Sequence, residues 1–253
     1  MSEDERNPMR AAQAAMRPTA PRRFYKRAEV VAVEGGGFAL KLDGRSARTP
    51  GKRPLVAPTR AVAELIAAEW AAQGERIEPT SMPATRLANS AIDGVAGALA
   101  ATRAEIAKYA ASDLVCYRAE APAALVALQA AAFDPALRWA RDRLGAQFVT
   151  TVGVVHVAQP ETALAAARAA VEAYSDPFAV GALHVMTSLT GSLLLALMTA
   201  EDALTPEAAW RAAHVDEEFQ ISRWGEDEEA GLRRAARWRD FEAAARALAA
   251  SRG

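Results

Sequence analysis

The rhythm of apolar positions changes about a third of the way along the chain. In "AEVVAVEGGGFALKLDGRSARTP" (28–50), short apolar runs are broken first by three glycines and then by Asp43-Gly44. Turn residues of this kind between alternating positions predict tight hairpins. A small antiparallel β unit is therefore expected, continuing through "RPLVAP" (53–58). Thr59 is placed to cap a helix, and "AVAELIAAEWAAQG" (61–74) has helical spacing and stops at a glycine. "RIEPTSMPAT" (76–85) is a proline-punctuated connector and the natural domain junction. Beyond it the spacing predicts helices near 84–111, 122–132, 135–144, 160–174, 177–199, 206–223 and 227–249, parted by Gly, Pro or Asp-Pro steps. "QFVTTVGVVHV" (147–157) dissents, since its β-branched run suits a strand or an extended connector. The expected class is α+β: a mobile arm over 1–21, a small β domain with one helix over 22–80, and a larger, mainly α-helical domain over 81–253.

Composition sharpens this picture. Of the 253 residues 51% are hydrophobic, but much of that share is alanine, which favours helix and buries little area. Thirty basic against 31 acidic residues give a formal charge of -1, which argues against a nucleic-acid partner. The basic stripe "GLRRAARWRD" (231–240) does not overturn this, because Asp227 to Glu229 precede it. The single cysteine, Cys116, excludes an internal disulfide framework and suits a reducing compartment. "AVGALHVMTSLTGSLLLALMTA" (179–200) is long and uncharged enough to span a bilayer, yet it is interrupted by His184, Thr187, Ser188, Thr190 and Ser192 and flanked by acids. A buried core helix is the better reading, without stable membrane insertion.

Complete catalytic patterns are lacking. "GGGF" has neither the lysine nor the spacing of a phosphate loop, and no GxSxG occurs. Cys116 sits among hydrophobic neighbours and reads as a small buried side chain. His156, His184 and His214 are scattered; His214 and Glu218, four apart, lack a third ligand, so neither metal nor cofactor is expected. Asp93 and Asp113 stand next to helix ends or connectors, where capping explains them.

The richest stretch is "DEEFQISRWGEDEE" (216–229). On one helix over 206–223, the residues Trp210, His214, Glu217, Ile221 and Trp224 recur at steps of four and three, so that stripe is expected to face protein. Glu217 lies in its middle and needs a cationic or N–H partner. Asp216, Gln220 and Arg223 fall on the opposite side, where solvent and local pairing account for them. "EDEEA" (226–230) reads as the acidic first turn of the last helix. An enzyme using Glu217 and His214 as an acid–base pair is the alternative reading of the same residues.

Five segments occur in a recognisable order: "RRFYKRAEV" (22–30), "LDGRSARTPGKRPL" (42–55), "AEWAAQGERIEPTSMPATRLANSAID" (68–93), "YAASDLVCYRAEAP" (109–122) and "DEEFQISRWG" (216–225). Together they resemble the ATP12-type chaperones, which assemble the catalytic head of F-type ATP synthase by holding its free alpha subunit. Phe133 and Ser112 depart from that pattern, where Trp and Thr are usual. The resemblance implies a small β domain followed by a helical one, in a protein that is not an enzyme; a monomer is expected. It further implies that the partner is the alpha subunit, and that the setting is bacterial cytoplasm or, in a eukaryote, the mitochondrial matrix, for which the N-terminus is a poor transit peptide. The family's acidic residue falls in "DEE", best matched by Glu217, with Asp216 and Glu218 as the neighbouring registers. Trp70 corresponds to a tryptophan of the family, with packing between domains favoured over partner contact. Trp224 stays open between partner anchor and helix-end packing.

Overall fold

The computed structural model describes residues 20–252, so the arm expected over 1–21 lies, but for its last two positions, outside them. The N-terminal part is a four-stranded antiparallel sheet of β1 (Ala28–Ala32), β2 (Phe38–Leu42), β3 (Arg45–Ser46) and β4 (Val56–Ala57), with β2 paired to each of the other three. Leu42 pairs with Arg45, so Asp43-Gly44 is a two-residue loop, and φ values of 47° and 80° make it the primed turn that its sequence predicts. The Asp43 carboxylate also accepts from the Lys26 and Arg27 amides, which hold its pKa below the usual value. Helix α1 (Arg60–Ala71) follows, with the Thr59 hydroxyl accepting from Val62 N–H as expected.

The rest is helical: α2 (Pro83–Asp93), α3 (Leu99–Lys108), α4 (Ala123–Trp139), α5 (Glu161–Glu172), α6 (Pro177–Thr190), α7 (Leu193–Ala200), α8 (Pro206–Ala213), α9 (Val215–Trp224) and α10 (Glu228–Ser251). Helix α6 runs through the centre, packed on α2, α3, α7 and α10, and α7 is buried along its whole length. No helix among the described residues is long and apolar enough to cross a membrane. The 177–199 helix divides at Gly191, whose φ of 67° ends α6 and lets Ser192 cap α7.

Three other expectations need correction. The 84–111 helix divides at Gly94, with a 3₁₀ turn (Val95–Gly97) between α2 and α3. The 122–132 and 135–144 helices are one, because Pro135 is accommodated inside α4, which ends in a π turn at Gly145. The 206–223 helix breaks at His214 without Gly or Pro. The dissenting 147–157 stretch is mostly extended connector. Two short strands, β5 (Tyr117–Arg118) and β6 (Thr151–Val152), pair in parallel there.

One buried and two half-buried carboxylates tie these parts together. Glu69 of α1 accepts from the Ala84 and Thr85 amides and the Thr85 hydroxyl at 2.7–2.8 Å, capping α2 across the connector. Asp93 at the end of α2 accepts from the Thr49 hydroxyl at 2.7 Å and the Gly51 amide at 2.8 Å, clasping the β-rich part. Fully buried Asp113 accepts from Val115 N–H and from Leu194 N–H in the first turn of α7. Capping thus accounts for Asp113, whereas Asp93 acts over a longer range than its local sequence suggests.

Candidate functional site

Helix α9 carries the acidic triplet in its first turn, where the partial positive charge of the helix N-terminus favours Asp216, Glu217 and Glu218. That also rationalises the break at His214: the acids start a new helix rather than decorate an old one. The three carboxylates then diverge. Asp216 is exposed as expected, but its Oδ1 also accepts from Gln129 Nε2 at 2.7 Å. Gln129 is buried in α4, and its own oxygen accepts from Ala119 N–H, so Asp216 pins α9 to α4. Glu218 pairs with Arg234 of α10 at 2.6 Å, and Glu217 lies 4.0 Å from the same guanidinium. The cation that Glu217 needs is therefore present but shared, and about two fifths of the Glu217 side chain faces solvent.

The stripe expected to face protein changes character along its length. Trp210 and His214 are buried, with ring centroids 3.8 Å apart, and Trp210 also packs on Trp238 and Phe241. His214 Nδ1 lies 2.8 Å from the Trp210 carbonyl, and burial holds its pKa below the usual histidine value. Among the described residues, His214 is hydrogen-bonded to the Trp210 carbonyl and Glu217 lies near Arg234, with no hydrogen bond between the two. Glu217 and Ile221 are half-buried. Trp224, at the C-terminus of α9, is 79% exposed, which corrects the expectation that the whole stripe is covered. Leu232 of α10 is also exposed. Glu228 and Glu229 stand in the first turn of α10 as expected, while Asp227 before them is its cap.

On the other flank of Glu218 lies a groove of about 550 Å³, lined by Leu128, Pro135, Met198, Leu204 and Val215 and rimmed by Arg211. The acidic start of α9 thus separates an apolar groove from a helix that ends in an uncovered tryptophan. Trp70 is not brought to this face: it is half-buried in the N-terminal core, 5.5 Å from the Tyr25 ring, and its carbonyl accepts from the Tyr25 hydroxyl. Sequence reasoning missed Gln129, Arg234 and the groove. An arginine on the last helix was visible, but nothing local assigned it to α9.

Such a face offers charge, an aromatic anchor and apolar relief, a combination suited to holding a protein surface. No group of three or more His, Cys, Asp or Glu side chains among the described residues could hold a metal. The sequence profile of the ATP12 chaperone protein family matches residues 22–141. The Atu1473 protein of Agrobacterium tumefaciens, described as a putative chaperone, is 49% identical and superposes with a TM-score of 0.88, covering 96% of this chain and 91% of its own. Atp12 from Paracoccus denitrificans is 42% identical with a TM-score of 0.83, covering 91% and 98%. A point mutant of that protein gives 0.82. The chain belongs to the ATP12 chaperone family.

Proposed function

We propose that this protein holds the unassembled alpha subunit of F-type ATP synthase, shields its beta-facing surface and releases it into the catalytic head. Family membership supports a chaperone. The observation that carries the face is Trp224, 79% exposed at the end of a helix whose first turn holds three carboxylates. Tryptophan is among the residue types most enriched at the energetic centres of protein interfaces. The alpha subunit before assembly presents an apolar interface that would otherwise aggregate. An interface of about 1,600 Å² in total suffices for a specific, reversible complex. Glu217 is the charge offered to the partner, since Glu218 is the closer mate of Arg234 and Asp216 is held by Gln129. The protein acts as a monomer in the bacterial cytoplasm and performs no chemistry.

Titration with free alpha subunit, with beta as the control, tests this reading, and selective alpha binding is the expected result. Equal binding of both subunits, or of neither, would refute it. Glu217→Gln should leave the circular dichroism spectrum unchanged, because the ion pair of this 41% exposed side chain with Arg234 at 4.0 Å contributes less than about 1 kcal/mol. The same variant should lower the yield of assembled synthase in a complementation assay.

A further inference from the structure

Between α3 and α5 lies a groove of about 580 Å³ that takes no part in the α9 face. On α3, Ala100, Ala104 and Ala107 recur at steps of four and three, so they share one narrow face. Arg103 and Lys108 fall about 70° to either side of that face. Ala111, in the 3₁₀ turn (Tyr109–Ser112) that prolongs α3, carries the same line on. The opposite wall comes from α5, where Leu164, Arg168 and Glu172 recur every four residues. The result is a floor of methyl groups about 16 Å long, edged by three cations and one acid.

The cations differ in what they bind. Lys108 pairs with Glu105, and Arg168 lies 4.0 Å from Glu161, both at exposed positions where such pairs are weak. Arg103 forms no ion pair among the described residues. It is half-buried, and its Nε is covered by protein without a hydrogen-bond acceptor. A guanidinium drawn partly out of water and left unbonded is destabilising, because its lost hydration is not replaced. An anion seated on its terminal nitrogens offsets that cost, in the paired geometry that arginine offers to carboxylates and phosphates. A protein surface is a poor fit here. None of the exposed large hydrophobics lies on α3 or α5, so the groove lacks the anchors of a docking face. Its volume falls instead in the range of small-molecule sites.

We propose that the α3–α5 groove binds a small amphiphile, an anionic head on an unbranched aliphatic chain. The head, a carboxylate or a phosphate, sits on Arg103, with the neighbouring cations adding attraction. The chain lies along the alanine floor and against Leu164. Side chains that end at Cβ leave room for a hydrocarbon but offer it no hydrogen bond, which selects against a sugar or a nucleotide as the body. Glu172 is the one opposing charge, outnumbered by Arg103, Lys108 and Arg168. The site stands apart from the α9 face and does not depend on the holding role.

Calorimetric titration of the full chain with octanoate and with octyl phosphate tests the proposal, with octanol lacking the charge and acetate lacking the chain. One molecule of either amphiphile should bind per chain, at least tenfold more tightly than octanol or acetate. The tighter of the two identifies the head group as carboxylate or phosphate. Arg103→Met keeps the packing stem and should weaken octanoate binding at least tenfold. Its melting temperature should be no lower than that of the wild type, because the unbonded Nε is gone. Ala104→Leu, at an exposed helical position that accepts leucine, should fill the floor and weaken binding equally. Octanol binding as tightly as octanoate, or wild-type affinity in Arg103→Met, would overturn the proposal, as would failure of both amphiphiles to bind. Arg103→Met should also hold free alpha subunit as the wild type does. A tenfold loss there would make an acidic segment of the client the occupant, and would equally overturn it.

Discussion

Asp113 is fully buried, and burial pushes its carboxyl up to about 6 from 3.8, against the donors that favour its charge. Those donors are the Val115, Leu193 and Leu194 amides and the Ser192 hydroxyl. A tenfold change in proton affinity is worth about 1.4 kcal/mol, so a rise of this size represents ~3 kcal/mol. The sign follows from linkage. A carboxyl whose folded pKa is raised binds its proton more tightly in the native state. Its stabilising contribution is complete below the unfolded value near 4 and is lost as pH rises through about 6. Asp113→Asn removes the titration while keeping one acceptor. Urea unfolding of both proteins, followed by circular dichroism between pH 4 and pH 8, isolates the effect because all other groups cancel in the difference. Wild-type stability minus variant stability should fall by ~2.4 kcal/mol from pH 4 to pH 7. A flat difference would refute the burial argument. A rising one would show that the four donors outweigh desolvation.

Gly51→Ala should destabilise the protein by about 1–3 kcal/mol in chemical denaturation, since loss of the clasp leaves polar groups unpaired. A Cβ at that position would lie 2.6 Å from Asp93 Oδ1 and unseat the carboxylate from Thr49 and the Gly51 amide. Cys116, whose thiol burial pushes up to about 12, should resist alkylation at pH 8 until the protein is unfolded, as mass spectrometry of native and denatured samples would show. Trp224→Ala should leave the melting temperature unchanged because the side chain is exposed. It should nevertheless weaken alpha binding by about 2–4 kcal/mol in a calorimetric titration, the range of an anchoring aromatic.

Local chemistry was legible in the sequence where it acts locally. Asp43-Gly44 demands positive φ at two successive positions and forms the expected turn. Thr59 and Asp227 cap the helices that follow them. Pro135 and His214 misled for the same reason: tertiary packing decides whether a helix continues. Pro135 stays inside α4 beside the groove, while His214 turns the chain with no breaker residue. The acidic triplet held the missing signal, because three successive acids suit a helix start better than a helix middle. Periodicity put Trp210, His214, Glu217, Ile221 and Trp224 on one helix, but the chain breaks at His214, so the stripe is divided between α8 and α9 and its cover ends before Trp224. Gln129 and Arg234 are 87 and 16 residues from the acids they bind, so only the fold brings them together. Within the ordered segments that carry the family resemblance, Glu69, Asp93 and Asp113 each hold two parts of the chain together, which their local sequence does not reveal.

The α9 face is tested most directly by placing a photoreactive benzoylphenylalanine at position 224 and irradiating the protein with free alpha and beta subunits. A cross-link to alpha and none to beta is expected, with no comparable product when the same group replaces exposed Glu172 of α5. A complex with alpha that forms but gives no cross-link from position 224 would contradict it.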